Sequence, residues 1–234
     1  MVRVLVTRPA SGASRTARRL EDQGFQPLLL PLTRTQALPV DALPGDVAAV
    51  AITSANAIRH APREIVAALA ALPCHAVGAR TAQAARAAGF LSVSEGPGTA
   101  EALADVLAGS LAGKSLAYLC GRVRLPAFEA RLSSAGVDVR AVETYDTIGI
   151  DYADAAVLER LSGRPVDIAL VYSARAGAAI RELAGRPALR ELFEKTRFLA
   201  LSDRVAAALG DIAGTDIRVA ARPDEDALLA LVRA

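Results

Sequence analysis

The sequence predicts an α/β protein of two similar doubly wound parallel-sheet domains, joined by a two-stranded linker, with an active-site cleft between them. Three observations lead there. Short apolar runs alternate with helix-like segments along all 234 residues. The two halves repeat: Thr53-Ser54-Ala55-Asn56-Ala57 is matched by Tyr172-Ser173-Ala174-Arg175-Ala176, Ala76-Val77-Gly78-Ala79-Arg80 by Ala200-Leu201-Ser202-Asp203-Arg204, and Thr99 to Leu107 by Asp224 to Val232. Upstream, Val4-Leu5-Val6 through Gly24 matches Leu116-Ala117-Tyr118 through Gly136. Finally, two polar connectors, Thr33 to Pro44 and Asp146 to Asp151, interrupt the alternation. A repeat of this length exceeds a solenoid unit and indicates two similar domains, whose cleft is the expected place for function.

Taken in order, Val2 to Thr7 is an apolar run suited to a buried parallel strand. Ser11 to Gln23 reads as a helix with Ala13, Ala17 and Leu20 on one face, ended by Gly24 as a left-handed C-terminal residue. Gln26 to Leu32 completes a β-α-β opening. After the first connector come a strand at Val47 to Thr53, a helix within Asn56 to Leu72, a short strand at His75 to Gly78 and a helix at Thr81 to Ala88 closed by Gly89. Leu91 to Val93, Ser115 to Leu119 and Val137 to Tyr145 read as strands. Ala100 to Leu111 and Ala127 to Ala135 read as helices, the second closed by Gly136. Beyond the second connector, strands at Ile168 to Tyr172, Phe198 to Leu201 and Ile217 to Ala220 alternate with helices at Gly177 to Leu183, Arg190 to Lys195, Val205 to Leu209 and Glu225 to Arg233. A cut near Gly113 fits the repeat. So does a chain that leaves one domain at Thr33 to Val40 and returns at Tyr145 to Asp151, and the polar connectors favour this second path.

Composition excludes several classes. A net charge of +2 argues against a nucleic-acid partner bound through a broad basic surface. Hydrophobic residues make up 53% and aromatics 4%, with no Trp, so the cores must be aliphatic. Of 27 basic side chains only Lys114 and Lys195 are lysine. Compositional bias accounts for this, and so do guanidinium forks aimed at carboxylates or phosphates. Cys74 and Cys120 have no disulfide or metal spacing. His60 and His75, the only histidines, read as filler. No signal segment or membrane-length apolar run is seen, so a cytoplasmic protein with no membrane partner is expected.

Candidate chemistry sits at the strand-to-helix junctions. These are Thr7-Arg8-Pro9, Thr53-Ser54-Ala55-Asn56, Gly78-Ala79-Arg80-Thr81, Tyr172-Ser173-Ala174-Arg175 and Leu201-Ser202-Asp203-Arg204. Helix N-termini present free N–H groups and a favourable dipole to anions, although ordinary N-capping explains each junction singly. Together they describe a receptor for a polyanion. Nucleotide fingerprints fail: Gly96-Pro97-Gly98-Thr99-Ala100-Glu101 carries Glu where a third glycine is needed, and no P-loop or nucleophile elbow is present. A nucleotide-dependent transferase is therefore disfavoured. A two-domain polyanion-binding protein without catalysis remains as the alternative, but as an exported receptor it would need a leader.

The ordered set Val4-Leu5-Val6-Thr7-Arg8-Pro9, Ile52-Thr53-Ser54-Ala55-Asn56-Ala57, Ala76-Val77-Gly78 with Thr81-Ala82, Gly121, Val142-Glu143-Thr144-Tyr145-Asp146-Thr147 and Tyr172-Ser173-Ala174-Arg175-Ala176 resembles the uroporphyrinogen-III synthase family. The resemblance spans nearly the whole chain. It implies two α/β domains joined by paired linkers, one domain being built from both chain ends. The expected boundaries are then 1–34 with 152–234, an inserted domain at 41–144, and hinges at 35–40 and 145–151. It also implies a cofactor-free lyase of haem biosynthesis. Such an enzyme closes linear hydroxymethylbilane to uroporphyrinogen III, inverting ring D through a spiro intermediate and losing water. Its substrate carries eight carboxylates, many of them held by backbone amides. The chain is expected to act as a monomer, with the upstream hydroxymethylbilane-producing enzyme as a further partner.

Residue by residue, the family's linker tyrosine falls on Tyr145, its hydroxyl residues on Ser54, Thr81 and Ser173, and Gly121 with the adjoining Arg122 completes the candidate set. A threonine pair found in some members reads Arg204 and Val205 here and is not carried over. The chemistry implied is conformational control with charge stabilisation, since closure without inversion is the uncatalysed default. Tyr145 is the candidate catalytic residue, donating a hydrogen bond to the departing hydroxyl. A linker aromatic that shields the hinge is the competing role.

Overall fold

Runs of aliphatic residues that are buried at every position must lie between two layers of helices. Three such runs form β1 (Arg3–Val6, where Val4 to Val6 follow a buried Arg3), β4 (Ala49–Ile52) and β9 (Ile168–Val171). They form the centres of two parallel sheets. The computed structural model describes residues 1–42, 45–124, 126–210, 212 and 216–233, with Ser11 described through its backbone only. The chain divides into two compact units, unit 1 comprising residues 1–34 and 148–234 and unit 2 residues 35–147.

Unit 1 carries β1, β2 (Gln26–Leu29), β9, β10 (Arg197–Ala200) and β11 (Ile217–Val219) in the order β2-β1-β9-β10-β11, all paired in parallel. Successive residues of β1 supply opposite faces. Leu5 joins Ala169, Ile180, Phe193 and Phe198 on one side. Val4 and Val6 join Leu20, Leu170, Leu199 and Leu228 on the other. Helices α8 (Ala174–Gly185) and α10 (Asp203–Leu209) cover the first face, and α1 (Ala10–Glu21) and α11 (Glu225–Ala230) the second.

Unit 2 is built the same way. Its parallel strands run in the order β8-β7-β4-β5-β6, with β5 (Cys74–Ala76), β6 (Val93–Glu95), β7 (Ser115–Gly121) and β8 (Asp138–Gly149). A further strand, β3 (Thr33–Ala37), lies on the outer side of β8. Position by position, β11-β10-β9-β1-β2 corresponds to β6-β5-β4-β7-β8. The sequence repeat is therefore a repeat of fold with the strands permuted. The paired glycines Gly24 and Gly136 both adopt the left-handed backbone that ends a helix, at φ 83° and 78°. Thr99 and Asp224 both cap helices, accepting from Ala102 and Ala227 respectively.

Several elements differ from the sequence reading. The first connector contains a strand, β3, and β8 runs through Tyr145 to Gly149. Leu38 N–H donates to Thr144 O and Ile150 N–H to Leu32 O, the pattern of an antiparallel pair that satisfies two otherwise polar segments. The segment from Asn56 to Leu72 holds two helices, α2 (Ala55–His60) and α3 (Arg63–Leu69), because Pro62 drives Ala61 into an extended conformation. Leu91 is an exposed turn residue and its strand begins at Val93. A helix that the sequence reading lacks, α7 (Asp154–Arg160), buries only Val157, so its periodic signal is weak.

Arg3 joins the beginning of unit 1 to its later part. Its backbone N–H donates to Asp167 Oδ2 at 2.7 Å. Its guanidinium donates to Leu161 O, Arg164 O and Pro165 O at 2.5–2.6 Å, covering the carbonyls just beyond α7. Arg3→Met strands these acceptors. It is expected to lower the stability of unit 1 by about 2–3 kcal/mol, read as a shift of the urea midpoint; an unchanged midpoint would mean that water satisfies them.

Candidate functional site

Parallel pairing brings the carboxyl ends of neighbouring strands to one edge of each sheet, and in open sheets ligands bind there, where the strand order reverses. In unit 2 the reversal lies between β4 and β7. Ser54, Ala55 and Asn56 follow β4; Gly78, Ala79, Arg80 and Thr81 follow β5; Gly121 ends β7, with Arg122 next; Tyr145 lies in β8. In unit 1 the reversal lies between β1 and β9. Arg8 and Pro9 follow β1, Ser173, Ala174 and Arg175 follow β9, and Ser202 and Asp203 follow β10. The candidate residues thus form one group on the carboxyl edge of each unit.

Tyr145 is placed by an irregularity in β8. Cys120 pairs with Glu143 but Gly121 pairs with Tyr145, leaving Thr144 as a bulge. The bulged Thr144 is fully buried, and its hydroxyl donates to Ala57 O of α2 at 2.7 Å. Tyr145 then lies across Gly121. A Cβ at Gly121 would come within 2.7 Å of Tyr145 Cζ and 3.0 Å of its hydroxyl oxygen. The backbone is tied as well, Arg122 N–H donating to Tyr145 O at 2.8 Å. The Tyr145 hydroxyl has no hydrogen-bond partner among the described residues.

His60 is the residue that sequence reasoning missed. It is the last residue of α2 and its ring stacks on Tyr145, with centroids 5.9 Å apart and planes 29° apart. Its Nε2 lies 2.9 Å from Thr35 Oγ1. Burial, and then Arg59, lower its pKa, which keeps the imidazole uncharged at neutral pH. The one local signal is Ala61-Pro62, which fixes His60 as a helix end.

The helix starts differ in what they leave available. Ser54 Oγ accepts from Asn56 N–H and Ser173 Oγ from Ala176 N–H, both at 3.2 Å, so these hydroxyls serve as caps. Gly78 starts α4 (Ala79–Ala88) with no side-chain cap, and Ser202 starts α10 likewise. Thr81 is buried in the first turn of α4, while Ala79 and Arg80 are exposed.

Arginines at both edges are already paired. Arg124 donates to Glu129 at 2.6 Å, to Glu143 at 2.9 Å and to the carbonyls of Gly121 and Arg122. Arg122 donates to Glu143 at 3.1 Å. The two guanidiniums, Arg124 first, hold the Glu143 carboxyl below its ordinary range. In unit 1, Arg8 meets Glu225 at 2.7 Å and lies 4.6 Å from the centre of the Tyr172 ring. Gly12 makes the room, since a Cβ there would collide with the Arg8 guanidinium. Arg8 is therefore charge-matched within unit 1, whereas Arg175 is exposed.

Burial pushes the Cys74 and Cys120 thiols up to about 12, which leaves them unreactive. Among the described residues no cluster of His, Cys, Asp or Glu could hold a metal ion, and no helix is long and apolar enough to cross a membrane. Val205 packs in the unit 1 core, and its carbonyl would lie 3.1 Å from a Cβ at Gly177 of α8. Arg204 is exposed.

The family profile described as uroporphyrinogen-III synthase HemD matches residues 14–230. Among solved structures, the uroporphyrinogen-III synthetase of Helicobacter pylori is similar over 100% of this chain and 99% of its own, with TM-score 0.66 and 17% identity. A mutant uroporphyrinogen III synthase from Thermus thermophilus is similar over 100% of this chain and 98% of its own, with TM-score 0.56 and 22% identity. These likenesses show the fold, two α/β units with parallel sheets. No curated protein sequence matches the chain.

Two outcomes follow from this geometry. Gly121→Ala forces the Tyr145 ring to move and is expected to cost about 1–3 kcal/mol of stability. Near-UV circular dichroism reads the ring directly, because the chain has four tyrosines and no tryptophan; an unaltered spectrum would mean that the ring does not rest on Gly121. Glu143, with its lowered pKa, contributes stability that is complete above pH 4.5 and lost as pH falls through the lowered value. The stability gap between the parent chain and Glu143→Gln is expected to close on acidification. A gap that stays constant down to about pH 2 would remove the ion cluster as its source.

Proposed function

Because the chain belongs to the uroporphyrinogen-III synthase family, we propose that it closes hydroxymethylbilane into uroporphyrinogen III, inverting ring D and releasing water without a cofactor. The chain is thus a lyase of tetrapyrrole biosynthesis. The observation that carries this reading is the family match over residues 14–230.

Tyr145 is the residue we assign to the chemical step. Its ring is held over Gly121 while its hydroxyl has no partner among the described residues. A phenol keeps its proton at neutral pH and can donate a hydrogen bond to the departing hydroxyl. As the C–O bond breaks, the pyrrole nitrogen lone pair fills the vacated position, giving an azafulvenium cation, and the oxygen takes the phenol's proton and leaves as water; the proton that ring D sheds at the end restores the phenol. Ring D then attacks this carbon through its own substituted position to form the spiro intermediate. The bond from that position to the carbon bridging ring C then breaks, leaving the cation as an azafulvenium on ring C; the free α carbon of ring D attacks it, and loss of the proton there restores aromaticity in the inverted sense. Most of the catalytic effect comes from holding the bilane in the conformation that makes this attack nearer than simple closure.

The substrate's eight carboxylates match the character of the strand ends. In unit 2 we assign them to the uncapped start of α4 at Gly78 to Thr81, to Ser54, Ala55 and Asn56, and to Arg122. In unit 1 we assign them to Arg8 and Pro9, to Ser173, Ala174 and Arg175, and to Ser202 and Asp203. Where a serine already caps its helix, backbone N–H groups are the assigned donors. The working form on this reading is a cytoplasmic monomer supplied by the hydroxymethylbilane-producing enzyme.

The test is to add the protein to hydroxymethylbilane and separate the ring isomers formed. Accelerated formation of the inverted isomer is expected; only the non-inverted ring, at the uncatalysed rate, would overturn the reading. Tyr145→Phe is expected to slow the inverted product by a few-fold to about a hundredfold with an unchanged unfolding midpoint. An unchanged rate would remove Tyr145 from the mechanism.

A further inference from the structure

Resting on that assignment of Tyr145, we propose that His60 is its positioning residue, a ring anchored by Thr35 that stacks on the phenol and holds it where the departing hydroxyl must meet it. His60 is not placed against the reacting atoms; it acts through Tyr145.

Gly121 lies directly beneath the Tyr145 ring. A glycine admits the tyrosine ring but offers no side chain to grip it. The ring still has two torsions, and an unpartnered hydroxyl does nothing to fix them. A second contact is needed, and the structure supplies one from α2. Thr144 and Tyr145 are adjacent in β8. Thr144 donates to Ala57 O, and Tyr145 stacks on His60. Ala57 and His60 are one helical turn apart, so the same helix holds both residues of the bulge.

Two features hold His60 in turn. Its backbone is the last of α2, because Ala61 before Pro62 adopts φ −65° and ψ 136° and cannot continue the helix. Its Nε2 lies at hydrogen-bond distance from Thr35 Oγ1 in β3, which fixes the ring plane. Because β3 neighbours β8 in the sheet, the contacts close a circuit from Thr35 to His60 to Tyr145 and back through the strands. The centroid separation of 5.9 Å and small interplanar angle are those of a stacked aromatic pair. An imidazole whose pKa is lowered suits that packing better than a cation would.

Three variants separate the parts of this role. His60→Phe keeps a ring and loses the bond to Thr35; His60→Gln keeps a polar partner for Thr35 and loses the ring; His60→Ala loses both. The first readout needs no substrate. With only four tyrosines, ring-labelled NMR of the free protein is expected to show the Tyr145 resonances shifted and the ring flipping faster in His60→Ala, and restored towards the parent in His60→Phe. The second readout is kinetic. His60→Ala is expected to lower kcat about ten- to a hundredfold with little change in KM, to raise the share of non-inverted product, and to have no further effect in a Tyr145→Phe background. Unshifted Tyr145 resonances in folded His60→Ala, or a full additive effect in the Tyr145→Phe background, would overturn the proposal. A Tyr145→Phe enzyme of full rate would instead overturn the assignment beneath it, and the resonances would tell the two failures apart.

Discussion

Parallel strand pairing is the constraint on which the rest of the molecule depends. In both units every pairing between the core strands is parallel, so the chain must return through a helix after each strand and all carboxyl ends emerge on one edge. Residues that share nothing in sequence are thereby brought together: Ser54, Gly78, Gly121 and Tyr145 in unit 2, and Arg8, Ser173 and Ser202 in unit 1. The central strands hold this arrangement because they are buried on both faces, where a single polar intrusion would need its own partner. Thr7 shows how that is met: it is fully buried and its hydroxyl donates to Leu170 O at 2.7 Å.

Within that frame, small departures from regularity create the distinctive features. One extra residue in β8, Thr144, reorients the strand just where it pairs with the end of β7. One missing side chain, at Gly121, lets a phenol ring lie against backbone. One proline, Pro62, stops a helix so that an imidazole ends up beside that ring. A cluster centred on Arg124 then secures the turn after β7 by gripping the Gly121 and Arg122 carbonyls as well as two carboxylates. None of these features would mean much singly; their convergence on Tyr145 gives that side chain its defined setting.

The fold class was legible because its signal is local. Val4 to Val6, Ala49 to Ile52 and Ile168 to Val171 are uninterrupted apolar runs, and only a doubly covered parallel sheet buries such runs completely. The repeat was legible because capping residues recur at matching junctions, as with Ser54 and Ser173. What escaped is what depends on distant partners. Thr33-Arg34-Thr35-Gln36-Ala37 has no apolar stripe and becomes a strand only because β8 lies alongside. α7 buries one side chain, too few to imprint a period. His60 could not be distinguished from filler, because its partners Thr35 and Tyr145 are far from it in the chain. The pairing of Arg8 with Glu225 was hidden for the same reason.

The permuted strand order has a consequence for how the polypeptide acquires its shape on the ribosome. Every core strand of unit 2, from Ala49 to Gly149, emerges in one unbroken stretch. β1 and β2 emerge earlier, yet the inner edge of β1 has no neighbour until Ile168 is made, since Val4 pairs with Ile168. The nascent chain therefore carries an apolar two-stranded fragment with an open edge while the inserted unit matures ahead of it. The first strand to be translated is among the last to be locked in, and Arg3 can clasp its three carbonyls only after that delay ends.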